Sequence, residues 1–342
     1  MLWRLVLFCL LGFPVMAFAD AVVFMYHRFG EDRYPSTSVR IDQFEAHLGH
    51  LKMHNYQVWP LERIVQYRKA RRAIPDKVVA ITIDDAYLSV YESAYPRLKA
   101  LGWPFTVFVS TEPVDRRLKG FMNWDQMREM ARNGARFANH GVTHSHLLKR
   151  LPGEDEAAWR ARMRWELEEA QRRLEAELDV TERLFAYPYG EYDEALAALV
   201  RERDFVGFGQ QSGPIGPRAD LRALPRFPMA EPYADLAGFR QKLHTLEMPV
   251  LRAEPWDPLR RQRDRPRLEL TLSSSLKRAD EVRCYVSGQG LAEVAWLDES
   301  KTRLRVEARE RLPLGRSRYN CTVPGPEGRY YWYSHPWLVM QE

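Results

Sequence analysis

Two periodicities alternate along the first 250 residues. Short, continuous apolar runs at 21–26, 78–83, 105–109, 136–138, 184–186 and 205–208 read as buried strands. Between them, apolar residues recur every three or four positions over 42–53, 90–100, 124–132, 156–178, 193–204 and 235–246, which predicts helices. The 42–53 helix places Phe44, Leu48 and Leu51 on one face. The 156–178 helix carries Trp159, Met163, Leu167, Ala170, Leu174 and Leu178 as one stripe. Asn123 and Gly134 bracket the 124–132 helix as cap and stop. This alternation predicts an α/β fold around a parallel sheet, open or closed into a barrel. Functional residues are then expected at the C-terminal ends of the strands.

Past residue 250 the pattern changes. Residues 251–266, rich in proline and charge, read as a linker. Short strands at 268–272, 282–286, 294–297, 304–308 and 330–333 then predict a small all-β sandwich over 267–342. At the other end, Arg4, the apolar run 5–19 and the Ala17-Phe18-Ala19 site read as a secretory signal, so the mature chain begins at Asp20. The catalytic unit is therefore expected over 20–250.

Composition narrows the picture. A chain of 342 residues, 45% hydrophobic and 28% charged, suits a globular protein of about two domains. Removing residues 1–19 takes away Arg4 and Cys9, leaving a formal charge of 5 − 1 = +4 and two cysteines, Cys284 and Cys321. In an exported chain those two are expected to pair. The charges are mixed in sign even in the dense stretch 154–183, which argues against a nucleic-acid partner. No membrane span is expected after signal cleavage.

The candidate chemistry sits at two strand ends. The run 78–83 ends in Asp84-Asp85, and His140 and His144 lie four residues apart, one helical turn. One carboxylate with two imidazoles makes a three-ligand divalent-metal site that leaves a position open. The second carboxylate is then free to take a proton from water, so the set reads as metal-assisted hydrolysis. His27 and the stretch Tyr187-Pro188-Tyr189-Gly190 also fall just after predicted strands. His146 is two residues past His144 and points elsewhere; His244 ends a helix, where the dipole favours a cation. Both are left out of the site. Trp103, Trp124 and Tyr187, and the cluster Tyr330 to Tyr333 with Trp337, are open to two readings, core packing or sugar stacking.

These ordered motifs resemble the polysaccharide deacetylase family of metal-dependent carbohydrate esterases. Thr82-Ile83-Asp84-Asp85-Ala86 is similar to its first motif, His140-Gly141-Val142-Thr143-His144 to its second, and Ala186-Tyr187-Pro188-Tyr189-Gly190 to its third. The resemblance implies a distorted (β/α) barrel, with Asp84 as general base and Asp85, His140 and His144 as ligands of a divalent metal, Zn²⁺ foremost. It also implies that the Tyr189 N–H holds the oxyanion. The family's last motif, a hydrophobic strand ending in a general-acid histidine, matches 21–27 at the N-terminus. This is similar to the circularly permuted, exported exopolysaccharide branch, and it makes His27 the acid, across the metal from Asp84.

There are departures from the pattern. Ala186 stands in place of the arginine that orients the base, and Arg226 is the candidate replacement. Gly141 stands in place of a hydroxyl residue that steadies the metal loop, and the fourth motif is absent. The implied activity is removal of acetyl groups, chiefly N-acetyl on hexosamine, from an extracellular or envelope polysaccharide. Two rival readings are a carbohydrate-binding or scaffold protein without turnover, and a metal amidase acting on a small molecule.

Overall fold

In the computed structural model of the chain, residues 18–231 and 233–341 are described. Seven parallel strands form the main path of one curled sheet: β1 (Val22–Tyr26), β2 (Val78–Asp84), β3 (Phe105–Val109), β4 (Ala135–Asn139), β5 (Leu184–Ala186), β6 (Val206–Phe208) and β7 (Phe227–Pro228), with the short strand Gln57–Val58 also pairing parallel to β2. Their spatial order is β6-β5-β4-β3-β2-β1-β7. Each strand from β1 to β6 docks beside its predecessor, and the N-terminal strand lies between β2 and β7. Segment 209–226 crosses the open side, where Leu224 bridges Phe208 and Ile215 bridges Ala21. The result is a half-barrel whose open side is irregular backbone.

Helices α1 (Ile41–Met53), α2 (Leu61–Lys69), α3 (Tyr95–Leu101), α4 (Thr111–Asp115), α5 (Trp124–Arg132), α6 (Glu156–Leu178), α7 (Glu194–Glu202) and α8 (Leu236–Leu243) surround it. Polar caps set several starts: the side chains of Asn123, Asp155, Asp193 and Asp235 each accept a backbone N–H of the first turn. The segment predicted as one helix over 90–100 begins instead with a π turn, Val90–Ala94. Pro96 lies in the first turn of α3 and has no N–H to offer, which removes one regular helical bond there.

The strands bury both faces. On β1 and β2, Val22, Phe24, Tyr26, Val79, Ile81 and Ile83 pack outward against Phe44, Leu48 and Leu98 of the helices. Ala21, Val23, Val78 and Ala80 pack inward with Phe108, Ala138, Ala186 and Phe208. This two-sided burial is why the strands read as continuous apolar runs. The inner row of β2 continues through Thr82 to Asp84, carrying a carboxylate to the C-terminal mouth of the barrel.

The C-terminal part holds two antiparallel-rich sheets. Their strands are β8 (Thr245–Glu247), β9 (Val250–Glu254), β10 (Leu259–Arg260), β11 (Arg267–Leu272), β12 (Arg283–Val286), β13 (Gly290–Leu291), β14 (Glu293–Trp296), β15 (Arg303–Glu307), β16 (Gly315–Pro324) and β17 (Tyr330–Val339). One sheet runs β8-β17-β16-β12-β13, with β10 also on β17, and the other β9-β11-β15-β14. The expected linker 251–266 is therefore corrected. Most of it lies in the second unit, because β9 pairs with β11 and β10 with β17. Helix α8 stops at Leu243, and the residues expected to finish it form β8, parallel to β17.

Strand β16 was not foreseen, and β17 runs six residues beyond the expected 330–333. The cause is a division of labour by pleat. Tyr319, Cys321, Val323 and Trp337, with Tyr331 and Tyr333 beside them, face the sandwich core. The alternate residues face the barrel: Trp332 meets Phe227 edge-on at 5.4 Å, and Leu338 joins Tyr187 and Tyr192. Period-two faces that both end up covered do not look like a half-solvated strand. The aromatic cluster is thus packing surface, and only Tyr330 keeps substantial exposure, 39%. Tyr187 is likewise core, its hydroxyl donating to the Arg222 carbonyl at 2.7 Å. Trp103 and Trp124 are partly buried against the outer core.

The expected signal, 1–19, lies outside the described residues except for its last two, whose backbone pairs antiparallel with Ile74–Pro75. Among the described residues no helix is long and apolar enough to cross a membrane.

Cys284 and Cys321 are directly opposite on β12 and β16, with Cα atoms 4.0 Å apart, and form a disulfide. Replacing both by serine should lower the stability of the C-terminal sheets by about 2–4 kcal/mol. Denaturant unfolding followed by tryptophan fluorescence, together with thiol mapping that finds Cys284 and Cys321 unreactive in the parent protein, checks this.

Candidate active site

The pleat of β2 aims Asp84 into the barrel and by itself would aim Asp85 away. The backbone reverses that at Asp85, which adopts a left-handed conformation, φ 58°. Its carboxylate then meets both histidines: Asp85 Oδ1 is 3.4 Å from His140 Nε2 and 3.0 Å from His144 Nε2. The three ligand atoms lie within 4.8 Å of one another. Metal–ligand bonds of ~2.0–2.2 Å in a tetrahedron place ligand atoms roughly 3.3–3.6 Å apart, close to this spacing. His140 Nδ1 is 2.7 Å from the Ala186 carbonyl, which requires the proton on Nδ1 and leaves the Nε2 lone pair for a cation. The donor set therefore fits a divalent metal.

The electrostatics agree. Burial alone would raise the Asp85 carboxyl, but hydrogen bonds from His140 and His144 hold it well below its usual value. Burial alone would lower His140, but Asp85 and the charge of Asp84 push it up. Both shifts express one fact: the cavity wants positive charge beside Asp85.

Asp84 is fully buried and gripped by Arg226, also fully buried. Arg226 Nη1 donates to Oδ1 at 2.6 Å and Nη2 to Oδ2 at 2.8 Å. Nε also donates to the Gly209 carbonyl at 3.0 Å, and Nη1 additionally to Thr82 Oγ1 at 3.3 Å. Burial pushes Asp84 up, yet Arg226 and His140 outweigh it and the carboxyl stays below its usual value. The cation beside Asp84 thus comes from the segment just before β7.

His27 Nε2 lies 4.0 Å from Asp84 Oδ2. It stands beside Asp84 rather than across the cluster from it, as the family resemblance implied. The cause is register: β1 and β2 are neighbours with Tyr26 opposite Ile83, so the residues after them emerge side by side. Burial lowers the His27 pKa, against the pull of Asp84 and Asp85.

Tyr189 also takes a left-handed conformation, φ 58°. Its ring packs 4.6 Å from His144 and stacks on His146 at 4.1 Å. His146 stays outside the ligand set, as expected, with Nδ1 2.8 Å from Glu191. His244 is the C-cap of α8.

Glu166, on α6, was missed from the sequence. Its buried carboxylate accepts from the N–H of Val142 at 2.6 Å and Thr143 at 3.1 Å, and from the Thr143 hydroxyl at 2.5 Å. A Cβ on residue 141 would come 3.0 Å from Glu166 Oε2, and Gly141 has φ +81°. Glycine at 141 therefore makes room for a carboxylate that steadies the loop. The only sequence signal was an acidic residue on the apolar side of a helix, beside Leu167.

Residues 71–207 match the family described as Polysaccharide deacetylase. Over that stretch the chain is similar to polysaccharide deacetylase domains. A Bacillus subtilis relative named "Putative polysaccharide deacetylase YxkH" is 27% identical over 210 residues, 61% of this chain and 71% of that protein. A Staphylococcus aureus poly-beta-1,6-N-acetyl-D-glucosamine N-deacetylase is 26% identical over 210 residues, 59% of this chain and 71% of that protein. The match to the Escherichia coli (strain K12) protein of the same name spans only 36% of its length. Among solved structures, the Streptococcus pyogenes deacetylase PplD in complex with acetate superposes with a TM-score of 0.59 at 22% identity. It covers 66% of this chain and 99% of that one, which establishes the barrel fold.

Two predictions follow from the geometry. Glu166→Ala should weaken metal affinity about 10–100-fold, the usual effect of losing a partner that orients ligands, measured by competition with a chromogenic chelator. Arg226→Met should cost about 3–5 kcal/mol at neutral pH, because it strands a buried carboxylate. The stability lent by the depressed Asp84 pKa is present above its unfolded value, about 3.9, and is lost as pH falls through the lower folded value. In Arg226→Met burial dominates, the Asp84 pKa rises, and any activity that needs its carboxylate loses its acid limb at higher pH. Adding Asp84→Asn should recover part of the lost stability, read by a double-mutant denaturation cycle.

Proposed function

We propose that the chain is a metal-dependent deacetylase that hydrolyses N-acetyl groups on the hexosamine units of an extracellular or cell-envelope polysaccharide. One observation carries the reading. A three-ligand cluster, an Arg-held carboxylate and a histidine converge at the mouth of one barrel. The substrate class is supported by the relatives named for poly-N-acetylglucosamine, and export by the leader-like residues 1–19.

Asp85, His140 and His144 hold the metal, with Zn²⁺ favoured by two imidazoles and a carboxylate that leave a position open. When bound, the ion supplies Lewis acidity to the acetyl carbonyl and to the attacking water. Asp84, kept ionised by Arg226, accepts the water proton. The Tyr189 N–H donates to the oxyanion of the tetrahedral intermediate. His27 protonates the departing amine. Burial favours its neutral form, so the proton it delivers is one received during turnover. Asp84, 4.0 Å away, is the nearest carrier. A scaffold without turnover would need none of this pairing, and a C-terminal unit packed on the barrel gives no reason to prefer a small-molecule amide.

The test is acetate release from acetylated hexosamine oligomers, with metal analysis. One divalent ion per chain is expected, and chelation should abolish turnover until Zn²⁺ or Co²⁺ is returned. Asp84→Asn should keep the metal and lose roughly 10²–10⁴-fold in rate. His27→Ala should cut amide hydrolysis sharply and spare an activated aryl acetate, whose leaving group needs no proton. Full activity without metal, or equal losses on amide and ester, would overturn these assignments.

A further inference from the structure

The barrel-facing side of β16 does more than pack. Arg316 Nη1 donates to the Tyr189 carbonyl at 2.7 Å, and Arg316 Nε lies 3.9 Å from the Glu191 carboxylate. Two residues on, and so on the same face of the strand, Arg318 Nη1 donates to the Gln210 carbonyl at 3.1 Å. Each carbonyl belongs to a segment of the candidate active site. Tyr189 sits in the left-handed turn against His144. Gln210 follows Gly209, whose carbonyl accepts from Arg226 Nε, the guanidinium that grips Asp84. The two segments also meet, since a Cβ on Gly190 would come 2.7 Å from the Gln210 side chain. One β-strand of the second unit therefore reaches both the turn carrying the Tyr189 N–H and the segment supporting the base.

We propose that Arg316 is a positioning residue for deacetylation: its guanidinium fixes the Tyr189 peptide so that the neighbouring N–H meets the developing oxyanion. The C-terminal unit is then a working part of the catalytic site rather than a separate glycan-binding module. The inference rests on the deacetylase reading above.

Three physical points support it. A non-glycine residue at φ 58° is an uncommon conformation that persists when its surroundings hold it, and Arg316 contributes one such hold from outside the barrel. The Arg316 side chain is 53% exposed, so the contact adds little to global stability, and its use lies in geometry. Oxyanion contacts form only as charge develops, so misplacing the donor reduces kcat and leaves KM nearly unchanged. A misplacement of about 1 Å can cost up to roughly 10²-fold.

The experiment compares full-length parent, Arg316→Met and Arg316→Lys, each metal-loaded. It measures kcat and KM on an N-acetylhexosamine oligomer, bound metal, thermal midpoint, and amide hydrogen exchange over residues 187–191. The expected result for Arg316→Met is about a 10–100-fold lower kcat with KM within about twofold. Metal content and thermal midpoint should match the parent, exchange over 187–191 should be faster, and Arg316→Lys should recover part of both kcat and protection. Parent-like kcat in Arg316→Met, or a loss confined to KM, overturns the proposal. A loss that follows metal content or the thermal midpoint makes Arg316 merely structural and overturns it as well. Should the metal-loaded parent release no acetate, the deacetylase reading fails by itself. Exchange then judges the clamp, and unchanged protection in Arg316→Met overturns it.

Discussion

The site depends on one buried ion pair. Asp84 and Arg226 are both without solvent exposure, and their attraction must offset the cost of removing two charges from water. It can do so because nearly every polar atom is used: two parallel N–H donors meet two carboxylate oxygens, and Gly209 and Thr82 take further donors. The pair also joins distant parts of the chain. Asp84 ends β2, Arg226 immediately precedes β7, and the segment 209–226 that delivers the arginine fills the open side of the barrel. Closing the barrel and charging the base are therefore the same structural event.

The inner and outer packing of the barrel follow from this. Small residues line the inner row, Ala80, Ala138 and Ala186, leaving room at the mouth for a guanidinium and two imidazoles. Ala186 is informative here. Its side chain stays in the inner core while its carbonyl fixes the His140 tautomer. Alanine at the end of β5 and arginine just before β7 thus serve one cavity.

Much of this was legible in the sequence because local pattern and tertiary role coincide. Strand β3 and helices α5 and α6 fall at the positions their periodicity and caps predict, since an apolar face or a polar cap acts over a few residues. The cluster Asp85, His140 and His144 was marked by residue type just after two predicted strands, but the histidines meet through an irregular loop, with Gly141 and His144 left-handed, rather than through the expected helical turn. What remained hidden is long-range. Glu166 has a partner more than twenty residues away in a loop, and nothing local marks it as different from other acidic residues on α6. The side-by-side placement of His27 and Asp84 depends on which strands are neighbours, which residue spacing does not encode. In the C-terminal unit, two covered faces disguised β16, and proline and charge disguised β9 and β10 as a linker.

The position of that unit explains why its sequence departs from an ordinary sandwich. Its β16–β17 pair serves two interiors at once, with Tyr319, Cys321 and Trp337 inward and Trp332, Leu338, Arg316 and Arg318 toward the barrel. Disulfide and core residues occupy one parity of the strand and barrel contacts the other. A one-residue register slip would therefore exchange the two sets completely. The cross-strand disulfide lies on the core parity and ties β16 to β12, thereby holding the opposite parity toward the catalytic mouth. Covalent constraint on one face thus fixes where the guanidinium groups on the other face are presented. The Tyr189 turn thus accepts a hydrogen bond from a part of the chain that holds none of the Asp85, His140 and His144 cluster.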